Sequence, residues 1–391
     1  MKLFASDNSA PACPEVLEAL ERVNTGHVFS YGTDMVTSQA HEDLSRLFAI
    51  APEEMIVALV PNGTGANVIG LSTFLRQWDG VIAGPESHIT EDECGALEGL
   101  RGIKIYHVPD QMGKIHPSDI LPFTGWDQNI HRNNPRAVSL TQATELGTVY
   151  SPEEIAELGK VAAANSMILH LDGARLANAV VAWCLLSENA QPAASEPDRD
   201  SAFRVLREMT IDAGVGVLAL GATKNGGLSC DGLIIFPRNL PAWALMGDQA
   251  PWNTLRLRVQ RSQKQALGLL SKYRYASAQI SALFSSDVWI RNAAHANNCA
   301  QRLAQGIQAL ASEVGDDLLS LVYPVQANGL WVRLPGEWVK ELQESFGFYV
   351  WTPENPQKKG LPIIRLMTSW DTSEESVDAL VHTLGSIARK G

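Results

Sequence analysis

Short apolar runs alternate with helical segments through the first two thirds of the chain, and this alternation limits the possible folds more than any other feature. The segment Ser151-Pro152-Glu153-Glu154 is a typical helix start, with a serine cap, a proline and two acidic residues. Short buried strands joined by helices are typical of a mostly parallel sheet covered on both faces. The sequence therefore predicts an α/β fold with strands at residues 55–60, 81–83, 103–106, 137–141, 167–171, 215–220 and 233–236, and helices at 14–22, 68–77 and 152–164.

The pattern changes after about residue 252. We expect one long helix at 255–283, a second at 293–312, strands at 330–334 and 363–367, and a closing helix from 373. This order predicts a smaller α+β domain, so that residues 1–255 form the large domain with an N-terminal arm and residues 256–391 form the small one. The polar, proline-containing segment 187–200 is predicted to be a surface loop.

Charge and composition exclude several classes of protein. The 391-residue chain has a net charge of -12, which disfavours nucleic acid as a partner. We find no apolar stretch of membrane-spanning length and no signal-peptide core, so we expect a cytoplasmic protein. The five cysteines form no CxxC pair, and neither a disulfide framework nor a metal site is expected.

Residues 61–67, with the sequence PNGTGAN, follow a predicted strand and precede a predicted helix. Free N–H groups at such a helix start bind phosphate well. Many strand-to-helix turns need glycine for steric reasons alone, so this turn by itself does not decide between the two interpretations. The spacing matches neither the P-loop nor the dinucleotide-binding pattern, which disfavours ATP and NAD as ligands.

Two further residues combine with this turn. Asp172 ends an apolar strand, where it could cap a helix or could bind the cationic nitrogen of a ring. Lys224 lies among small residues, where it could extend into solvent or could react as an amine with an aldehyde. A phosphate-type turn, a strand-end aspartate and such a lysine together fit pyridoxal 5'-phosphate.

The segments FASDNSAP, YGTD, PNGTGAN, ESHITEDECGA, TQATELGTVYSPEE, HLDGARLANAV and GATKNGG resemble the low-specificity L-threonine aldolases. These enzymes belong to the β-eliminating-lyase group of fold-type I pyridoxal-phosphate enzymes. The resemblance covers most of the first 260 residues and returns weakly at PIIRLMTSW. It implies cleavage of L-threonine, L-allo-threonine and related β-hydroxy-α-amino acids to glycine and an aldehyde. It also implies a homo-oligomer, a dimer or a tetramer, with active sites at subunit interfaces.

The resemblance assigns cofactor contacts to the matching residues. Lys224 corresponds to the lysine that forms the Schiff base, and Asp172 to the partner of the pyridine nitrogen. His88 corresponds to a histidine that stacks on the ring and takes part in catalysis, although a surface-loop histidine would look the same in sequence. Arg175 corresponds to an arginine near the phenolic oxygen and the substrate carboxylate. The phosphate-binding turn corresponds to Gly63, Thr64 and Gly65.

The resemblance also assigns substrate contacts. Ser6 and Arg365 correspond to the pair that holds the substrate α-carboxylate, although Arg365 could instead pair with a structural carboxylate. Tyr31 corresponds to a tyrosine that a neighbouring subunit contributes. Arg261 and Lys264 fall in a segment that reaches the neighbour's phosphate in relatives.

One position departs from the pattern of some relatives. Glu145 stands where those relatives have a histidine that handles the substrate's β-hydroxyl group. The base for the hydroxyl proton is therefore open between His88, Glu145 and an ordered water. A phenylserine-preferring aldolase, or another pyridoxal-phosphate-dependent β-eliminating lyase of this fold, is the alternative function.

Overall fold

The computed structural model describes residues 2–187, 196–245, 251–353 and 361–390. The strands of these residues are numbered in chain order as β1 Lys2–Leu3, β2 Ile56–Val60, β3 Asp79–Ala83, β4 Lys104–His107, β5 Asn134–Thr141, β6 Ile168–Gly173, β7 Val215–Leu220, β8 Asp231–Ile235, β9 Ser320–Leu321, β10 Gly329–Arg333, β11 Phe346–Gly347, β12 Tyr349–Thr352 and β13 Ile363–Met367.

The α-helices of the same residues are α1 Pro14–Val23, α2 Met35–Phe48, α3 Gly63–Phe74, α4 His88–Glu91, α5 Ala96–Arg101, α6 Pro117–Ile120, α7 Pro152–Ala164, α8 Leu176–Ser187, α9 Arg199–Met209, α10 Ala242–Leu245, α11 Pro251–Gln265, α12 Tyr273–Phe284, α13 Val288–Val314, α14 Gly336–Gln343 and α15 Glu374–Ala388. None of them combines the length and apolar character that crossing a membrane requires.

A seven-stranded sheet in the order β2-β8-β7-β6-β5-β3-β4 forms the centre of the molecule. Strands β4, β3, β5, β6 and β7 pair in parallel, whereas β8 runs antiparallel to both β7 and β2. Strand β2 therefore points in the same direction as β7. The predicted α/β class with a mostly parallel sheet is confirmed.

Side chains of each strand alternate between two apolar clusters, one on each face of this sheet. On β7, Leu218 and Leu220 pack into the cluster that contains α2, α7, α8, α9 and α12. Val217 and Ala219 of the same strand face the cluster that contains α3, α5 and α11. This period of two follows from strand geometry and buries both faces.

The C-terminal part has a second sheet, the antiparallel β12-β13-β10-β9, which packs with α13, α14 and α15 in a third apolar cluster. The N-terminal strand β1 pairs with β11 beside it. The predicted boundary between residues 255 and 256 falls inside α11, and the division into two domains stays a prediction. Most of the predicted surface loop 187–200, residues 188–195, lies outside the described residues.

The prediction of one long helix at 255–283 is wrong. Helix α11 ends at Gln265, Leu267 has a φ of +62°, and α12 begins only at Tyr273. The two helices belong to opposite faces of the central sheet, since Leu255 of α11 and Ile280 of α12 lie in different apolar clusters. A single straight helix cannot cover both faces, so the chain turns around the sheet edge between them.

Candidate active site

A cavity of about 320 Å³ opens at the carboxyl edge of the central sheet. Its walls include Gly63 and Thr64 after β2, His88 after β3, Asp172 at the end of β6, and Lys224 after β7. These strands all point the same way, so their following loops meet at one edge. The structure therefore brings five of the predicted residues to one cavity, Gly63, Thr64, His88, Asp172 and Lys224.

The amino terminus of α3 forms the phosphate-type turn. The side chain of Asn62 caps the helix, because its Oδ1 accepts from the N–H of Gly65 at 2.8 Å. The N–H groups of Gly63 and Thr64 have no acceptor among the described residues, and both residues line the cavity. The helix begins five residues before the predicted 68, which places these N–H groups in its first turn, where they can bind an anion.

Lys224 lies in a short 3₁₀ turn, Thr223–Asn225, between β7 and β8. The carboxylate of Asp231 anchors this turn by accepting from the N–H groups of Ala222 at 2.7 Å and Thr223 at 3.0 Å. Within the described part of the chain, Lys224 Nζ has neither a hydrogen bond nor an ion pair. The amine is thus held at the cavity wall with its donor positions free.

Asp172 is buried and has a donor on each carboxylate oxygen. Ala174 N–H donates to Oδ1 at 3.0 Å and Asn67 Nδ2 donates to Oδ2 at 2.7 Å. Burial raises the pKa of Asp172, but the charge of His88 and the hydrogen bond from Asn67 outweigh burial, so this pKa lies below its usual value. Asp172 is therefore ionised and able to bind a cationic ring nitrogen.

Glu93 connects His88 to Asn67. The imidazole Nδ1 of His88 lies 2.9 Å from Glu93 Oε1, and Asn67 Nδ2 donates to the same oxygen at 2.8 Å. Burial lowers the pKa of His88, but Glu93, Asp172 and Glu145 together raise it above its usual value. Sequence reasoning missed Asn67 as a site residue, although it ends the motif PNGTGAN, where a helix start places it beside the cavity.

The side-chain atoms of His88, Glu93 and Asp172 that could ligate a metal ion lie within 4.8 Å of one another. Asn67 directs its amide hydrogens at both carboxylates of this group. Hydrogen bonds from Asn67 therefore stabilise the negative charges of both carboxylates.

Arg175 is buried, and acidic side chains hold most of its guanidinium group. Its Nε and Nη2 donate to the two oxygens of Asp7 at 2.7 and 3.0 Å, and its Nη1 lies 3.6 Å from Glu145 Oε2. Burial raises the pKa of Asp7, but the charges of Arg175 and Lys224, with hydrogen bonds from Arg175 and Asn328, hold it at about 2. The sequence did not indicate Asp7, because its partner is 168 positions away.

Arg365 on β13 has more free donors than Arg175. Its guanidinium lies 5.3 Å from the ring centre of Tyr349 and 5.0 Å from that of Trp351, and Nη2 donates to Ala5 O at 3.2 Å. Its buried Nε has no acceptor among the described residues. Burial and the charge of Arg175 lower the pKa of Arg365. An anion bound here would satisfy the free donors.

Several predicted residues do not line this cavity, among them Gly65, Arg175 and Arg365, and three further groups lie away from it. Ser6 Oγ accepts from Asn8 N–H at 3.2 Å and lines a separate cavity beside Ser373. Tyr31 is 45% exposed, and the amine of Lys264 lies 5.5 Å from its ring centre. Arg261 is exposed on the same helix as Lys264. The substrate role of Ser6 and the intersubunit roles of Tyr31, Arg261 and Lys264 stay predictions.

The cavity fits pyridoxal 5'-phosphate in three respects. Among the described residues, the N–H groups of Gly63 and Thr64 have no acceptor and suit a phosphate, and the amine of Lys224 has no partner and suits an aldehyde. Asp172 offers a buried carboxylate for a ring nitrogen. A Cβ atom at Gly63 would meet nothing within 4 Å, so the space beside this backbone is open.

Comparison with known proteins agrees with this chemistry. The family model "Beta-eliminating lyase" matches residues 4–318. The low specificity L-threonine aldolase of Pseudomonas sp. is 33% identical over 98% of this chain and 97% of its own length. The enzyme of the same name from Pseudomonas aeruginosa is 33% identical over 97% and 96% of the two chains.

Solved structures agree on the fold. The threonine aldolase of Leishmania major matches with a TM-score of 0.83 and 27% identity, over 99% of this chain and 100% of its own. Serine palmitoyltransferase of Sphingomonas wittichii, at 17% identity, matches with a TM-score of 0.63 over 99% and 87% of the two chains. The predicted fold-type I architecture is therefore confirmed. The chain belongs to the beta-eliminating lyase family of pyridoxal-phosphate-dependent enzymes and, within it, to the low-specificity L-threonine aldolases.

Proposed function

We propose that this protein cleaves L-threonine, L-allo-threonine and related β-hydroxy-α-amino acids to glycine and an aldehyde with pyridoxal 5'-phosphate. One observation carries the proposal: the free amine of Lys224, the ionised carboxylate of Asp172 and the free N–H groups of α3 face one cavity. The names of the relatives support the choice of substrate.

Each part of the cofactor has a matching group in the cavity. Lys224 Nζ would hold the aldehyde carbon, the N–H groups of Gly63 and Thr64 would hold the phosphate, and Asp172 would hold the ring nitrogen. The bound cofactor supplies an aldehyde for covalent attachment of the substrate amine and an electron-withdrawing ring. Asp172 would keep that nitrogen protonated, because its own pKa is lowered and its carboxylate is ionised.

The two arginines differ in how available they are to bind the substrate carboxylate. Arg175 already makes two hydrogen bonds to Asp7, so we infer that its main task is to hold the N-terminal segment and Glu145 in place. Within the described residues, Arg365 makes one hydrogen bond, to a backbone carbonyl. Its planar donors suit a carboxylate, and fixing that group orients the bond between Cα and Cβ.

We propose that His88 takes the proton from the β-hydroxyl group of the substrate. His88 lines the cavity, and Glu93 anchors its Nδ1 so that Nε2 is available. Glu145 is the alternative base, but its carboxylate lies 3.6 Å from the guanidinium of Arg175. A positioned base of this kind typically accelerates a reaction by about 10²–10⁴.

The experiment that tests the function measures products. The purified protein with cofactor should release glycine and acetaldehyde from L-threonine, and borohydride reduction should leave the cofactor on the peptide that contains Lys224. Lys224→Ala should lose both properties, whereas the exposed Lys160→Ala should keep both. Ammonia and a keto acid as the products, or a labelled peptide elsewhere, would contradict the proposal.

We also propose that the protein is a homo-oligomer. Val28, Phe29, Tyr31 and Met35 are exposed apolar or aromatic side chains in one stretch of the single chain, and Phe29 and Met35 are 81% and 83% exposed. A cluster of exposed apolar side chains in one segment favours a protein contact there. A cytoplasmic location is a prediction of the sequence alone.

A further inference from the structure

Four side chains form an unbroken chain of hydrogen bonds behind the cavity. His88 Nδ1 contacts Glu93 Oε1 at 2.9 Å, Asn67 Nδ2 donates to that oxygen at 2.8 Å, and the same nitrogen donates to Asp172 Oδ2 at 2.7 Å. Asn67, Glu93 and Asp172 are at most 5% exposed. The chain thus links the proposed base to the proposed partner of the ring nitrogen.

The central amide fixes the direction of these hydrogen bonds. A side-chain amide nitrogen carries two hydrogens and accepts none. Asn67 directs one hydrogen to Glu93 and the other to Asp172, so the contacted oxygen of each carboxylate acts as an acceptor. Asn67 Oδ1 and Glu93 Oε2 are buried without a partner among the described residues. A buried polar atom without a hydrogen bond lowers stability, and such atoms often occur at functional sites.

The acceptor role of Glu93 decides where the proton lies on the imidazole. Because Glu93 Oε1 accepts, His88 Nδ1 must donate, and the neutral ring then carries its lone pair on Nε2. Nε2 has no hydrogen-bond partner in the described part of the chain, and His88 lines the cavity.

We propose that Glu93 and Asn67 are positioning residues that hold neutral His88 with its hydrogen on Nδ1 and thereby present Nε2 as the proton acceptor. The inference deepens the proposed function, because it rests on the assignment of His88 as the base. Asn67 donates hydrogen bonds to both Glu93 and Asp172, so the same residue orients the support of the base and the partner of the ring nitrogen.

Charged groups from several elements face His88. Glu93 follows α4, Asp172 ends β6 and Glu145 follows β5, and all three favour the protonated ring. Asp92, Lys224 and Asp231 line the same cavity. Removing the Glu93 charge should therefore lower the pKa of His88, while Asp172 and Glu145 keep their effect.

The first test is the tautomer of His88, measured by ¹⁵N NMR on the full-length protein with and without cofactor. The His88 resonance is assigned by its loss in His88→Asn. We expect the neutral ring to carry hydrogen on Nδ1 in the wild type. Hydrogen on Nε2 would overturn the proposal, whatever the enzymatic activity. This measurement requires no variant of Glu93 to fold and no turnover.

The second test uses Glu93→Gln, which keeps the shape and removes the charge. The NMR pKa of His88 should fall, and the rise of kcat/KM with pH should move to lower pH, because the base must be neutral to act. The plateau of kcat should also fall, by less than in His88→Asn. Asn67→Ala should reduce the preference for the Nδ1–H form.

The matched control is Glu98→Gln, since Glu98 accepts from Ile105 N–H at 3.2 Å on nearby helix α5. This variant should leave the tautomer, the His88 pKa and the pH profile unchanged. If Glu93→Gln behaves like the control, the positioning role is wrong. If the NMR result holds but His88→Asn keeps full activity, the positioning role stands and the proposed base is wrong.

Discussion

At the scale of single residues, the buried Arg175 and the half-buried Arg365 differ in how many of their guanidinium donors the neighbouring residues occupy. Asp7 and Glu145 surround Arg175, whereas Arg365 contacts two aromatic rings and one backbone carbonyl. The proposal that Arg175 supports structure and Arg365 binds an incoming carboxylate rests on this difference. The sequence could not separate these roles, because Asp7 lies far from Arg175 along the chain.

We expect Arg365→Ala to raise KM for L-threonine by about 10–100-fold, the effect of losing hydrogen bonds to a charged group. Steady-state kinetics measures this change. Arg333→Ala is the control, because Arg333 is exposed and pairs through its backbone with Ile363 on the same strand as Arg365. An unchanged KM in Arg365→Ala would remove this arginine from the substrate site.

The carboxylate of Asp7 makes folding depend on pH. Its pKa is about 2 in the folded protein against an ordinary 3.8, so it contributes stability above pH 3.8 that is lost as the pH falls towards 2. The contribution is about 2 kcal/mol. Asp7→Asn should lower the free energy of unfolding in urea at pH 7 and flatten its fall between pH 4 and 2.

The control for Asp7 is Asp378→Asn, since Asp378 pairs with Arg302 on the surface. Exposed ion pairs contribute little, so its unfolding curves should stay close to the wild type. Equal effects of the two variants would show that burial of Asp7 is not the cause.

At the scale of elements, the sequence predicted most strands and the helix at 152–164, because their periodicity and caps are local. It failed at 255–283, where both halves are helical but belong to different faces of the sheet. The turn between them depends on contacts with distant residues, such as the hydrogen bond of Gln263 Nε2 to Leu59 O at 3.0 Å. No pattern within the segment could indicate that contact.

The junction of β7 with the Lys224 turn tolerates no side chain. A Cβ atom at Gly221 would lie 2.3 Å from the backbone oxygen of Ala174, just after Asp172. We expect Gly221→Ala to lower the free energy of unfolding by about 1–3 kcal/mol and to weaken cofactor retention, as followed by urea unfolding and visible absorbance.

Gly99→Ala tests whether any added methyl group has this effect. A Cβ atom there would meet nothing within 4 Å, and Gly99 lies in helix α5. This variant should be as stable as the wild type or slightly more stable. A stable, fully loaded Gly221→Ala protein would contradict the close approach of these two loops.

At the scale of the whole molecule, the first residues connect the central sheet to the four-stranded C-terminal sheet. Strand β1 pairs with β11, Met367 N–H donates to Phe4 O at 2.8 Å, and Asp7 reaches Arg175 beyond β6. The sequence predicted an N-terminal arm and a substrate contact at Ser6. It could not show that the arm's buried charge is Asp7, since only the packed chain brings Arg175 and Asn328 to it.

The exposed segment around Tyr31 belongs to the same scale, because a single chain leaves it uncovered. We expect Phe29→Asp with Met35→Asp to lower the molar mass measured by sedimentation, since two charges would enter a buried contact. Ile130→Asp is the control, as Ile130 is 91% exposed elsewhere. An unchanged mass in the double variant would contradict a subunit contact at this segment.

His88, Glu145 and Lys224 follow β3, β5 and β7, Asp172 ends β6, and these four strands lie side by side in the central sheet. Each loop is anchored by its own strand, so one can be replaced during evolution while the others keep their geometry. The loop after β5 is not among the segments that we propose to hold the aldehyde or the ring nitrogen of the cofactor. Substitutions in this loop can therefore change the preference for the leaving aldehyde while the protein keeps its ability to bind the cofactor.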